Sequence, residues 1–142
     1  MAKKGKMNVR IPIVSVLILV LASCAEEVDT ESFVDRNHVD LEATYERALA
    51  EKWGLTTTAR EREIGVTEIF TKRCKDDQVI LLLVTDVWGT AADTMYHGVA
   101  RRLDVRDGEL TVDPYGPANL DDYPQVSRKL THGWYEFSWM DI

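Results

Sequence analysis

A continuous apolar run in the middle of the chain places the tightest constraint on the fold. Residues 79–85 have the sequence Val-Ile-Leu-Leu-Leu-Val-Thr and carry no charge. A run of this length and composition is typical of a strand that is covered on both faces, because a strand with one solvated face alternates apolar and polar residues. The chain is therefore expected to build a sheet around a central, fully buried strand.

An amphipathic helix is predicted before this strand. Within residues 38–53 the apolar side chains follow the i, i+4, i+7, i+8 spacing of one helical face, and these residues are Leu41, Tyr45, Ala48, Leu49 and Trp53. Asp40 can cap the first turn, and Gly54 can supply the left-handed residue that ends a helix. We expect this helix to cover one face of the sheet.

The segment between the helix and the central strand has a less distinctive sequence pattern. Residues 55–62 are polar and are predicted to be a connection. Residues 63–74 fit a strand or a helix, and their β-branched content together with Gly65 favours the strand. The first strand of the sheet is therefore expected here, followed by a turn at residues 75–78.

Three more strands are predicted after the central one. Residues 95–106 alternate in part, Asp107-Gly108 is a hairpin turn signal, and residues 109–112 would be the return strand. A loop with three prolines follows at residues 113–129. The last strand, residues 134–139, alternates with its aromatic side chains (Tyr135, Phe137 and Trp139) on one face. The fold class is α+β, with one N-terminal helix packed on an antiparallel meander of about five strands.

The N-terminal segment has the features of a secretory signal. Lys3, Lys4, Lys6 and Arg10 precede an uncharged apolar stretch at residues 11–22. As a helix this stretch would be about 18 Å long, at about 1.5 Å per residue. A bilayer core of about 30 Å needs a longer span, so a signal peptide is favoured over a membrane helix.

The end of this segment, Leu21-Ala22-Ser23-Cys24, resembles the lipobox of bacterial lipoproteins. The resemblance covers residues 1–24 only, and it implies a diacylglycerol on the Cys24 thiol, cleavage before Cys24 and acylation of the new amino terminus, with palmitate as an expected acyl group. It also implies a lipid anchor in the bacterial cell envelope. In the enteric sorting rule an aspartate after the cysteine retains a lipoprotein at the inner membrane, so Ala25 favours the outer membrane where the cell has one.

The rest of the chain is divided into a tether and one domain. Residues 24–37 are acidic and lack sustained periodicity, which predicts a tether. Residues 38–142 form a single small globular domain, as expected for a chain of 142 residues. The net charge of the chain is −7, and four of its basic residues lie in the signal segment, so the rest of the chain is more acidic still. Nucleic acid is therefore not expected as a partner, because phosphate binding needs clustered lysine and arginine.

Residues 86–97 carry the best candidate site. The stretch follows the most buried strand and contains Asp86, Trp88, Asp93, Tyr96 and His97. Asp93 and His97 are four residues apart, so a helical turn would let the carboxylate orient the imidazole as a weak catalytic pair. A metal site would need another ligand that the sequence does not identify, so no metal and no cofactor are predicted.

Aromatic side chains supply candidate binding residues. Trp88, Tyr96, Tyr115, Tyr123 and Trp134 could form stacking surfaces for a protein or glycan partner, provided that they point outward.

The remaining chemistry-bearing residues are interpreted as structural. Cys74 is expected to be a buried apolar residue. The acidic residues around the predicted hairpin (Asp104, Asp107, Glu109 and Asp113, with Asp121 and Asp122 beyond it) are read as a solvated edge rather than a calcium site, because their spacing does not match a helix–loop–helix site.

Three functions remain open. The first is a noncatalytic envelope lipoprotein that binds a partner or supports an assembly, with residues 86–97 and 113–125 as its contact surface. The second is a small hydrolase or metal-dependent enzyme that uses Asp93 and His97. The third is a sensor or inhibitor domain that holds a small ligand in a cavity between the helix and the sheet.

Overall fold

The computed structural model describes residues 29–74, 77–90, 93–113 and 124–141. These residues form two helices and a five-stranded antiparallel sheet, with the long helix N-terminal to all strands. The predicted α+β architecture is confirmed.

The long helix, α1, spans Thr30–Glu51 and begins eight residues earlier than predicted. Asp29 is its N-cap, and the Asp29 carboxylate accepts hydrogen bonds from the Glu31 backbone N–H (3.1 Å) and the Ser32 hydroxyl (2.8 Å). The helix bends at Asn37, which has non-helical backbone angles and donates its side-chain amide to the Phe33 carbonyl. The expected helical segment from residue 38 is therefore only the part of α1 that follows this bend.

Two sequence-based expectations for this region are wrong. Residues 30–37 are not part of a tether, because Thr30, Phe33 and Val34 are buried against the sheet side of the domain. Trp53 does not lie on the buried face of the helix, since it follows the helix end and is 52% exposed.

A second, short helix lies in the segment predicted to be a polar connection. This helix, α2, spans Ala59–Ile64 and starts with a reciprocal capping box between Thr58 and Glu61. The Glu61 carboxylate is buried and bonds the Arg47 guanidinium (2.6 Å) and the Thr44 hydroxyl (2.5 Å) of α1. Gly65, in the left-handed conformation, ends α2 and directs the chain into the sheet.

The strands are β1 (Glu68–Arg73), β2 (Val79–Gly89), β3 (Thr94–Arg102), β4 (Gln125–Lys129) and β5 (Tyr135–Asp141). Their order in the sheet is β1-β2-β3-β5-β4. The first three strands form a meander, whereas the β4–β5 hairpin places its second strand beside β3. β1 confirms the strand interpretation within residues 63–74.

Residues 103–113 do not form the predicted hairpin. Asp107 adopts a left-handed turn conformation, but the residues after it are irregular rather than a return strand at 109–112. Leu110 is nevertheless buried against the sheet. The fourth strand, β4, lies instead within the segment that was expected to be a proline-containing loop.

The central strand is buried on both faces, as its sequence predicts. Val79, Leu81 and Leu83 pack with Leu41 and Tyr45 of α1 on one face. The alternate residues of β2 pack on the opposite face in a second cluster, whose other members include Ala100, Leu110, Val126, Tyr135, Phe137 and Trp139. We refer to the face of the sheet that packs against α1 as the helix face, and to the opposite face as the open face.

Candidate functional site

Residues 86–97, the best candidate site in the sequence, lie mostly in a β-hairpin. β2 and β3 remain paired as far as Gly89 and Thr94, and His97 lies opposite Asp86. The register shifts between Val84 and Asp86, so that Thr85 is the extra residue of a β-bulge. Since directly opposed residues project to the same face, the bulge brings the Asp86 carboxylate alongside the His97 ring.

A close approach of the two strands accompanies this bulge. A Cβ atom at Gly98 would lie 1.9 Å from the Leu83 carbonyl oxygen, which is backbone and cannot move aside locally. Glycine is therefore required where β3 passes the bulge.

The His97 ring lies between two carboxylates. Its Nδ1 is 3.5 Å from Asp86 Oδ2, and its Nε2 is 3.3 Å from Glu136 Oε2 on the neighbouring strand β5. The ring is mostly buried, and the Trp88 ring lies 6.0 Å away between centroids. Each nitrogen of the imidazole thus faces an acceptor oxygen, and a protonated ring could donate to both.

Glu136 connects this histidine to the start of α1. Its carboxylate accepts hydrogen bonds from the Thr30 hydroxyl, the Arg128 Nε (3.1 Å) and the Ser127 hydroxyl (3.3 Å). Burial alone would raise the pKa of Glu136, but the hydrogen bonds from Thr30 and Arg128 and the charges of Arg128 and His97 together lower it from the ordinary value of 4.5. We call Asp86, His97, Glu136, Thr30 and Arg128 the His97 cluster.

The predicted Asp93–His97 pair is not formed, because the helical turn that it required is absent. Asp93 lies in the turn before β3, where its backbone carbonyl accepts from the Thr90 N–H (3.0 Å) and its side chain is exposed. Four residues along a strand span about 13 Å, so β3 separates the two side chains that a helix would bring together.

The aromatic binding candidates are separated by the sheet. Trp88 is 53% exposed and lies beside His97, whereas Tyr96 contacts Phe70 edge-on and stacks on Trp139 in the aromatic group of the open face. Trp134 is fully buried on the helix face beside Tyr45, so it cannot be the outward-facing contact that was expected. Tyr115 and Tyr123 lie outside the described residues, as do Cys24, Asp121 and Asp122.

The interpretation of Cys74 as a structural residue agrees with its surroundings. The side chain packs against the open-face cluster, and burial raises the pKa of the Cys74 thiol to about 11. The thiol is therefore protonated at neutral pH and is a poor nucleophile.

Two of the acidic residues near 104–113 form ion pairs with arginines. Asp104 accepts from the Arg102 guanidinium (2.8 Å), and Asp107 accepts from the buried Arg101 (2.5 Å), which also pairs with Glu42 (2.6 Å). In the part of the chain that the structure describes, no group of three or more His, Cys, Asp or Glu side chains is arranged to hold a metal ion.

The helix–sheet interface is filled by side chains. Leu41, Tyr45 and Ala48 are fully buried there, with the Tyr45 hydroxyl donating to the Arg102 carbonyl (2.7 Å). A pocket of about 540 Å³ lies instead between α1 and the β4–β5 turn, where its lining includes the stacked rings of His38 and His132. The helix residues that would line the ligand cavity of a sensor domain, Leu41, Tyr45 and Ala48, are thus part of the packed core.

Comparison with protein-family models, with curated proteins and with solved structures finds no significant match to this chain. Among the helices of the described residues, none is long and apolar enough to cross a membrane.

The sequence indicates some members of the His97 cluster and does not indicate the others. Asp86, Trp88 and His97 were singled out because they are close together in the chain. Glu136 was placed on the face opposite to Tyr135 and Phe137, which is correct, but the alternation does not indicate that β5 pairs with β3. Thr30 was assigned to the tether, so its contact with Glu136 was not anticipated.

Proposed function

We propose that this chain is a lipid-anchored lipoprotein of the bacterial cell envelope, and that its folded domain is a noncatalytic binding or assembly-support module. The observation that carries the proposal is the sequence of residues 1–24: a basic start, an uncharged apolar stretch and Leu21-Ala22-Ser23-Cys24. Diacylglycerol on Cys24, with an acylated amino terminus, would hold the protein on a membrane, since two or more chains are needed for stable anchoring.

The position of α1 is compatible with such an anchor. Its N-cap, Asp29, follows Cys24 by five residues, so α1 begins a short distance along the chain after the proposed lipidated position. A chain of this length reaches at most about 18 Å when fully extended. The domain would therefore lie close to the membrane surface, and Ala25 favours the outer membrane where the cell has one.

The geometry of the His97 cluster favours a noncatalytic domain over the enzyme alternative. A general base must present a free nitrogen to its substrate, and both nitrogens of His97 face protein carboxylates. Thr30, the hydroxyl residue of the cluster, donates to Glu136 rather than to His97. The cluster thus resembles a structural network of hydrogen bonds that attaches the N-terminal end of α1 to the sheet.

The anchor is tested by comparing Cys24→Ser with Cys74→Ser in the organism that makes the protein. We expect Cys24→Ser to remain at its precursor mass, to incorporate no palmitate label and to leave the detergent phase in a partitioning assay. Cys74→Ser, which changes the other cysteine of the chain, should be processed, labelled and retained like the unmodified sequence.

Cys24→Ser tests the anchor, and a further variant, His97→Gln, distinguishes a noncatalytic domain from an enzyme. Unchanged mass, labelling and membrane retention in Cys24→Ser would refute the lipoprotein proposal. Glutamine at position 97 can still form hydrogen bonds. If His97→Gln remains folded, a noncatalytic domain should therefore keep its biological activity. Loss of a turnover activity in folded His97→Gln would instead favour the enzyme.

A further inference from the structure

Two neighbouring large apolar side chains are exposed at the tip of the β2–β3 hairpin. Val87 is 46% exposed and Trp88 is 53% exposed, and they are the last two residues of β2 before Gly89. Because successive side chains of a strand point to opposite faces, the pair presents apolar surface on both sides of the tip. Such a projection costs free energy in water unless another surface covers it.

Three side-chain contacts connect the hairpin tip to the start of α1. Trp88 neighbours His97, His97 neighbours Glu136, and Glu136 bonds Thr30 in the first turn of the helix. The other half of α1 lies beside the opposite end of β3, where the Tyr45 hydroxyl bonds the Arg102 carbonyl. α1 therefore starts over β4 and β5, beside Arg128 and Glu136, and its second half reaches the Arg102 end of β3.

The proposed lipidated position is attached to the start of α1. Cys24 precedes the N-cap Asp29 by five residues, which cover at most about 18 Å. Trp53, which is exposed to the same extent as Trp88, follows the far end of a helix of 22 residues, about 33 Å away along its axis. An anchor at Cys24 would therefore be much closer along the chain to the start of α1, which the contacts of the His97 cluster connect to Trp88, than to Trp53.

The chemistry of the tip fits the headgroup–acyl boundary of a bilayer. Tryptophan is enriched at this boundary because its ring is apolar and its indole N–H remains polar. The stretch from Asp86 to His97 contains no lysine or arginine, so it offers no electrostatic attraction to anionic lipid. Insertion would therefore depend on the apolar side chains rather than on charge.

From these placements we propose that the tip of the β2–β3 hairpin, Val87 and Trp88, inserts into the lipid surface to which Cys24 is anchored. This inference rests on the proposed lipid anchor. It gives the domain a fixed orientation, in which the His97 cluster joins the helix start to a membrane-bound hairpin and the β4–β5 turn faces away from the anchor.

The test uses the full chain purified from envelopes and reconstituted in phosphatidylcholine vesicles whose acyl chains are brominated near the headgroup end. Bromine quenches tryptophan emission on contact. We expect quenching relative to unbrominated vesicles for the wild type and for Trp53→Phe, and loss of that quenching for Trp88→Phe. The two variants each remove one exposed tryptophan, so neither is expected to unfold the domain.

The mass of each sample separates the two proposals. If the chain carries lipid but quenching is absent, or is lost in Trp53→Phe and kept in Trp88→Phe, the membrane role of the tip is wrong and the lipid anchor stands. The exposed side chains of the tip would then be a contact site for a protein or glycan. If the purified chain carries no lipid, both proposals are wrong.

Discussion

Glu136 is the residue that joins the start of α1 to the neighbouring strands. Its carboxylate contacts Thr30 of α1, Arg128 of β4 and His97 of β3. The side chain is mostly buried, so its charge needs these partners to offset the loss of hydration. Arg128 is half-exposed and could be hydrated without Glu136, whereas Thr30 is fully buried and could not.

We predict that Glu136→Gln lowers the free energy of unfolding by about 1–3 kcal/mol at neutral pH, because it removes the charge while keeping the size of the side chain. Urea denaturation of the two proteins measures the difference. Asp93→Asn is the matched control, since Asp93 lies in the same hairpin with an exposed side chain and its replacement should change stability by less than about 0.5 kcal/mol.

The difference between wild type and Glu136→Gln should depend on pH in one direction. The folded protein holds the pKa of Glu136 below its ordinary value of 4.5, so the ionised carboxylate stabilises the fold at neutral pH. That stabilisation is lost as the pH falls below 4.5 through the lowered pKa. A difference that stays constant across this range would contradict the role assigned to Glu136.

The sequence identifies side chains by proximity in the chain, and this limits what it predicts at the residue scale. Asp86 and His97 were found within one short stretch, yet their pairing depends on a bulge at Thr85 that has no distinctive sequence signal. Glu136 reaches His97 through the pairing of β3 with β5, two strands separated by the irregular segment and by β4. Asp93 was misassigned because a spacing of four residues has opposite meanings on a helix and on a strand.

At the level of elements, the start of α1 is the largest departure from the sequence-based prediction. Val34, Leu41 and Ala48 recur every seven residues and are all fully buried, so one helical face extends to the N-cap. The surrounding acidic residues concealed this face, because only two apolar residues lie between Thr30 and Asn37. The capping box Thr58-Ala59-Arg60-Glu61 is a second signal in the sequence, and it marks the start of α2.

Two valines on the same helix provide a direct test of this boundary. We predict that Val34→Ala lowers the free energy of unfolding by about 2 kcal/mol, because it removes buried methyl groups and leaves a cavity. Val39→Ala is the matched control, since Val39 is 71% exposed and its replacement should change stability by less than about 0.5 kcal/mol. If both variants had the stability of the wild type, residues 30–37 would behave as the tether that the sequence predicted.

The strands differ in how strongly the sequence predicts them. β2 is identified by its apolar run and β5 by its alternation, because both pack a large apolar surface. β4 has the sequence Gln-Val-Ser-Arg-Lys, in which Val126 alone is buried, and it pairs with β5 at the edge of the sheet. An edge strand with one buried residue carries little more pattern than a loop, so its formation depends on the neighbouring strand.

For the molecule as a whole, the proposed lipid anchor and the fold would together determine how the domain is oriented on a membrane. The chain has a net charge of −7, and the basic residues of the signal segment make the remaining part more acidic still. Charge repulsion would hold such a domain away from an anionic surface. If Cys24 carries lipid as proposed, the short link between Cys24 and Asp29 would counteract this repulsion and hold the start of α1 near the membrane.

The length of that link should therefore control membrane contact. We predict that a flexible insertion of about 20 Gly and Ser residues after Ala25 leaves lipidation and detergent partitioning unchanged but weakens bromolipid quenching of Trp88. The local concentration of the tip at the membrane falls with roughly the −3/2 power of tether length, and a fivefold longer tether lowers it about tenfold. The same insertion after Ile142 is the control and should leave quenching unchanged. Undiminished quenching with the longer tether would show that the tip binds lipid by its own affinity, and that the early start of α1 does not hold it there.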